Sequence, residues 1–146
     1  MTEYKHTVAA HMSRSPRCIA LTENLQEAAE IMRDLGIRHI PVLERGRPVG
    51  MLSERDIALS ATVSGRPLDQ VQVLEAMTRI PYCTPPTTPA SAVARHLATR
   101  KLDAALIMSG NRILGMFTIT DALNLLAEAL EERPDQARTG RTRLSA

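Results

Sequence analysis

Tryptophan is absent, and the other aromatic residues are three in 146: Tyr4, Tyr82 and Phe117. Proteins that hold single-stranded nucleic acid stack bases on a platform of rings, and these rings are too few and too scattered for one. An excess of one charge is lacking as well. Eighteen Lys and Arg face 16 Asp and Glu, a net +2, so no strong field attracts nucleic acid or an anionic membrane. No run of 18 apolar residues occurs, so no spanning helix is expected. The opening MTEYKHTVAA lacks the apolar stretch of a secretory signal. Cysteine occurs only at Cys18 and Cys83, outside any C-x-x-C spacing. A cytoplasmic location with both thiols reduced follows as the expectation. The histidines, His6, His11, His39 and His96, show no H-x-x-x-H spacing and no pairing with Cys, so no metal site is expected. No triad or paired acids stand out either, and the chain reads as a non-enzymatic protein with no catalytic cofactor.

What the chain does have is a repeat. Shifted by 65 positions, Met12–Ile57 lies over Met77–Ala122 without a gap. The identical pairs are Met12/Met77, Arg14/Arg79, Pro16/Pro81, Cys18/Cys83, Thr22/Thr87, Ala29/Ala94, Arg47/Arg112, Gly50/Gly115, Met51/Met116 and Asp56/Asp121. That is 10 of 46 positions, where average residue usage gives about 3. Two similar lobes sharing a core, with a cleft between like elements, are the natural consequence.

Each copy reads strand, helix, strand, strand, helix. In the first, Cys18–Leu21 is a short strand, with both cysteines expected buried as small apolar residues. Thr22 or Asn24 caps a helix whose inward face is Leu25, Ala28, Ala29, Met32 and Leu35, and Gly36 stops it. A hairpin follows, His39–Leu43 and Pro48–Leu52. Pro41 lacks an N–H and calls for an edge or a bulge. A helix starts at Ser53. In the second copy Pro85, Pro86 and Pro89 weaken the first strand. Ser91–Lys101 is the helix, Ala104–Met108 and Arg112–Phe117 the hairpin, and Thr118–Glu132 a closing helix with the stripe Ala122, Leu123, Leu126, Ala129 and Leu130. Residues 1–7 read as a loose N-terminus, 8–60 as repeat one, 61–70 as linker, 71–132 as repeat two, and 133–146 as a disordered basic tail carrying Arg138, Arg141 and Arg143. The fold class is α/β in composition and α+β in arrangement: two β-α-β-β-α repeats with pseudo-two-fold symmetry.

Gly50–Asp56 and Gly115–Asp121 both read G-x-x-[ST]-x-x-D where a strand turns into a helix. A hydroxyl followed three residues later by an acid makes a capping box without any ligand. The same residues suit a nucleotide. The glycine lets a ligand approach the backbone, and the helix N-terminus attracts phosphate. Ser53 or Thr118 can donate to a phosphate oxygen, and the Asp one turn in can accept from ribose hydroxyls. Arg55 adds a cation where the second copy has Thr120. His39 stands near the same cleft.

With the A-x-x-x-M phrase of Ala28–Met32 and the I-P-V phrase of Ile40–Val42, these endings resemble CBS domains, and the tandem copy resembles a Bateman module. The resemblance covers residues 8 to 130 and leaves no room for a catalytic domain. It implies a regulatory module with an adenosine-containing effector: AMP, ADP, ATP, NAD or S-adenosylmethionine. The hydroxyls would be Ser53 and Thr118, and the ribose acids Asp56 and Asp121. The base wall would be Ile40 and Pro41 in one copy and Ala105 and Leu106 in the other. Segments Pro16–Ile19 and Pro81–Thr84 would give backbone contacts. Arg38, His39, Arg55 and Thr120 would complete the site. The second copy departs by placing Asp103-Ala104-Ala105 where the first has Arg38-His39-Ile40. Two other readings stand beside this one. The chain is a ligand-free interaction or structural dimer, or it is a thiol redox switch. Leu123, Leu126 and Leu130 exceed what one repeat pair can bury, and a homodimer through the terminal helices is expected, with a regulated protein partner as a further possibility and neither membrane nor nucleic acid among the partners.

Overall fold

A computed structural model describes residues 6–79 and 81–132. The tail proposed at 133–146 and most of the N-terminal segment lie outside them. Two lobes follow from the repeat. The first holds β2 (Ile19–Ala20), α1 (Leu25–Leu35), β3 (His39–Glu44), β4 (Arg47–Ser53) and α2 (Glu54–Ser64). The second holds β6 (Cys83–Thr84), α4 (Ala90–Arg100), β7 (Ala104–Ser109), β8 (Arg112–Thr118) and α5 (Ile119–Glu131). Between them run α3 (Val73–Ala76) and β5 (Thr78–Arg79), and ahead of both is β1 (Ser13–Arg14). Helix α1 starts where expected because the Asn24 side chain accepts the Glu27 N–H at 2.9 Å, and it stops at Gly36 in the left-handed conformation. Leu35 is exposed rather than inward.

The repeats are exchanged at their first segments, which the sequence reading missed. The sheets run β2-β3-β4-β5 and β1-β8-β7-β6. β1 therefore closes the second lobe, with Ser13 opposite Met116 and Arg14 opposite Gly115. β5 closes the first, with Thr78 opposite Met51 and Arg79 opposite Gly50. The crossing is symmetric bond by bond. Val8 N–H donates to the Thr88 carbonyl at 2.7 Å, and Val73 N–H to that of Glu23 at 2.7 Å. Ala9 donates to Pro86 at 3.2 Å, as Leu74 does to Leu21 at 3.0 Å. Val8 is fully buried among Val93, Leu97, Ala105, Ile107 and Phe117, and Val73 among Leu25, Ala28, Ile40 and Leu52.

This crossing corrects several expectations. Thr7, placed in a loose end, bridges Pro89 as Gln72 bridges Asn24. Residues 61–64 belong to α2, which Gly65 terminates. β6 is as long as β2, and the carbonyls of Pro85 and Pro86 beyond it accept from Thr88 and Ala9. Pro41 lies in β3, an interior strand. Its missing N–H falls where the second lobe makes a bond from Leu106 N–H to the Tyr82 carbonyl at 2.8 Å. β2 begins pairing only at Val42, so that side of Pro41 is in effect an edge. Cys18 is half-buried and Cys83 exposed; each thiol donates to the carbonyl two residues back, at 3.5 Å.

Strand alternation splits each hairpin between two faces. Ile40, Val42 and Leu52 enter the first lobe's core, and Ala105, Ile107 and Phe117 the second's. Met51, Leu106 and Met116 meet between the sheets.

The crossing also reassigns the glycines. A Cβ on Gly50 would lie 2.7 Å from the Thr78 carbonyl oxygen, and one on Gly115 2.6 Å from that of Ser13. Both clash with backbone of the crossing strand, not with space kept for a ligand. Gly50→Ala and Gly115→Ala should each cost about 1–3 kcal/mol of stability, the range for overfilling a close contact. Urea unfolding of the full chain measures it; unchanged midpoints would contradict the role of the crossing.

Candidate functional site

Residues that alternate toward the inter-sheet side continue into the helix starts. In the first lobe that series is Pro41 and His39 on β3, then Met51 and Ser53 on β4. Pro41 pairs with Met51 and His39 with Ser53. In the second lobe Leu106 pairs with Met116 and Ala104 with Thr118. The site therefore forms where both hairpins end and α2 and α5 begin.

Both capping boxes are made. Ser53 Oγ accepts the Asp56 N–H at 3.0 Å, and Asp56 Oδ2 accepts the Ser53 N–H at 2.9 Å. Thr118 Oγ1 accepts the Asp121 N–H at 3.3 Å, and Asp121 Oδ2 accepts the Thr118 N–H at 2.8 Å. The copies differ in one proton: the Thr118 hydroxyl also donates to Asp121 Oδ2 at 3.2 Å, whereas the Ser53 hydroxyl makes no such bond to Asp56. A carboxylate offers about four lone-pair directions, so one cap leaves each Asp with acceptor capacity.

Across this mouth the lobes touch through charge. Asp103, at the start of β7, places Oδ2 3.9 Å from His39 Nε2 and 3.9 Å from Arg55 Nη1. Arg38 Nε stands 4.0 Å from Glu54 Oε2. His39 is held below its ordinary pKa, first by burial, while the carboxylates of Asp103 and Asp56 pull the other way. Burial thus favours its neutral form.

The other expected site residues divide. Pro41 and Leu106 are buried on the inter-sheet side, but Ile40 and Ala105 turn into the lobe cores, as a period of two requires for neighbours on a strand. Ile19 is core as well. Pro16 and Pro81 are half-buried, and Thr120 is exposed. Thr84 is buried with its hydroxyl 2.6 Å from that of Thr88. Asp103 was missed as a site residue; its charge, opposite to that of Arg38 one repeat earlier, was the available signal. Two shallow depressions of about 330 and 400 Å³ lie on the first lobe, lined by Asn24, Glu27 and Asp34 and by Met32, Ile37 and Arg38 among others. Both open to solvent and lack the capping carboxylates, so they do not define the site. Partial covering of each sulfur, on a half-buried Cys18 and a mostly exposed Cys83, raises the pKa of both thiols, which lowers their reactivity. Among the described residues no group of three or more His, Cys, Asp or Glu could hold a metal ion, and no helix is long and apolar enough to cross a membrane.

Two β-α-β-β-α lobes with exchanged first segments and paired helix starts at one mouth define a tandem-repeat α+β module. The CBS domain profile matches residues 8–61 and 72–128, and the chain belongs to the CBS domain family. It is a CBS domain pair, a regulatory module. It is 28% identical over 121 residues to the CBS domain-containing protein YhcV of Bacillus subtilis, covering 83% of each chain. Among solved structures it resembles the CBS domain pair of MJ0100, determined in complex with 5′-methylthioadenosine and S-adenosyl-L-methionine: TM-score 0.77, 22% identity, 84% of this chain and 97% of that one. It also resembles a hexameric CBS-CP12 protein from bloom-forming cyanobacteria: TM-score 0.74, 23% identity, 80% of this chain and 66% of that one.

His39 makes stability depend on pH. Its folded pKa lies below the unfolded value of 6.5, so the unfolded chain takes up the proton first. This contribution is complete above pH 6.5 and is lost as pH falls through the folded value. Urea midpoints measured from pH 7.5 down to 5 should fall for the wild type, and His39→Leu should flatten that part of the fall. An equal fall in both would refute it.

Proposed function

We infer that this CBS pair binds an adenosine-containing effector in the cleft where α2 and α5 begin, and that the ligand changes how chains assemble or meet a partner. The observation that carries this reading is the Asp103 contact with His39 and Arg55, which draws both lobes around one mouth. Both helix N-termini end there, each with a capped Asp that still has acceptor capacity for ribose hydroxyls. The complex of MJ0100 with adenosyl compounds supports the ligand class. The first copy is the better site, because the Ser53 hydroxyl proton is not given to Asp56 and remains for the ligand. Of the residues expected against the base, Pro41 and Leu106 lie on the inter-sheet side and Ile40 and Ala105 turn into the lobe cores, and all four are fully buried; the base would reach Pro41 and Leu106 only by parting the sheets.

Thermal shift against AMP, ADP, ATP, NAD, S-adenosylmethionine and 5′-methylthioadenosine tests the reading. At about 100 times the dissociation constant a ligand adds roughly 2.7 kcal/mol, on the order of 5–10 °C for a domain of this size. Asp56→Ala should weaken binding by about 1.5–3 kcal/mol while costing up to about 1 kcal/mol of stability through the cap; Asp121→Ala should weaken it less. If Asp56→Ala lowers stability and leaves affinity alone, the carboxylate is only a cap.

Assembly through the helices is the second part of the proposal. Leu59 and Val63 on α2 and Leu123, Leu126 and Leu130 on α5 are all more than half exposed, up to 77% at Val63. Only Ala122 and Leu125 of α5 pack on the second core. Such a surface on equivalent helices favours a two-fold homodimer, and a ligand acts on it through unequal affinity for two arrangements. Light scattering should give a dimer mass for the wild type and a monomer mass for Leu126→Glu. A monomeric wild type at tens of micromolar, or a dimeric variant, would reject this interface.

A further inference from the structure

The mouth is charged in a way that the repeat does not require. At equivalent positions, one repeat length apart, the first lobe has Arg38 and the second has Asp103. The Asp103 side chain, 37% exposed, reaches across to His39, which is 15% exposed, and to Arg55. The helix starts and the strand starts together carry Arg38 and Arg55 against Glu54, Asp56, Asp103 and Asp121: two cations and four carboxylates. Each cation already faces a carboxylate, Arg38 at 4.0 Å from Glu54 and Arg55 at 3.9 Å from Asp103. Burial favours the neutral form of His39, and the positive ends of α2 and α5 are met by Asp56 and Asp121 in the caps. A polyphosphate entering here meets a carboxylate where its own charge would have to sit, and like charges a few ångströms apart repel strongly in a partly buried site.

We propose that Asp103 sets the charge class of the effector: the cleft takes adenosine compounds whose 5′ substituent is uncharged or cationic and excludes adenosine polyphosphates. This deepens the reading of the cleft as an adenosine site and rests on it. Asp103 acts as a fixed anion at the mouth, 3.9 Å from the exposed Arg55 guanidinium that a phosphate would need.

Isothermal titration of the full chain with 5′-methylthioadenosine and with ATP, at one fixed low ionic strength, tests it. The wild type should bind the thioether at least about tenfold more tightly than ATP. Asp103→Asn keeps the shape and removes the charge. It should tighten ATP by about five- to tenfold, as expected for one partly exposed charge, and change the thioether by less than about twofold. Asp103→Ala should show the same selective gain, and added salt should shrink it. Equal affinity of the wild type for both ligands, or equal shifts for both in the variants, would overturn the role of Asp103 while leaving an adenosine site. If neither ligand binds the wild type or either variant, the adenosine reading itself fails, and this assignment with it.

Discussion

The structure depends on one close approach made twice: the backbone of a crossing strand lying on a glycine of the other lobe. At Gly50 and Gly115 the carbonyls of Thr78 and Ser13 occupy the space that any side chain would need. That contact lets β1 and β5 close sheets to which they do not belong in sequence, and it carries Val8 and Val73 into foreign cores. With the crossings in place the two hairpins are held face to face across Met51, Leu106 and Met116. Only then do the starts of α2 and α5 share a mouth. The candidate site is thus a product of the exchange, not of either repeat alone.

Within that frame the symmetry is close in the backbone and broken in the side chains. Pro41 stands against Leu106, Ser53 against Thr118, Arg38 against Asp103. The last two change hydrogen bonding or charge at the mouth, and the first removes a strand N–H in the buried layer between the sheets. Asp56 and Asp121 serve the fold by satisfying helix N–H groups, and they retain lone pairs for something further. The caps therefore leave acceptor capacity on both carboxylates for the proposed ligand.

Much of this was legible in the sequence because the repeat supplies two independent readings of every element. The hairpins, the Asn24 cap, the Gly36 stop and both G-x-x-[ST]-x-x-D boxes follow from residue type and spacing. What was not legible comes from contacts distant in sequence. Ser13–Arg14 and Thr78–Arg79 are strands of two residues, too short for any period-two pattern. Without them Gly50 and Gly115 looked like places for a ligand to approach. The match of Val8 with Val73 at the same offset of 65 was available and would have extended the repeat toward the chain start. Ile40 and Ala105 come to the base only through the family resemblance, together with Pro41 and Leu106, and the period of two along a strand separates each pair. Pro41 in an interior strand could be understood only once β2 proved to begin pairing one residue later.

The exchanged segments also set the order in which the chain can become itself. Ser13 finds its partner at Met116, most of the described length away, and Val8 has no hydrophobic home until Phe117 has been made. During synthesis the first lobe can complete once residues 71–79 emerge, while residues 8–14 wait for the last hairpin. Pairings of such long sequence separation slow folding, and until they form, β8 presents a bare edge of the kind that strands of other copies can join.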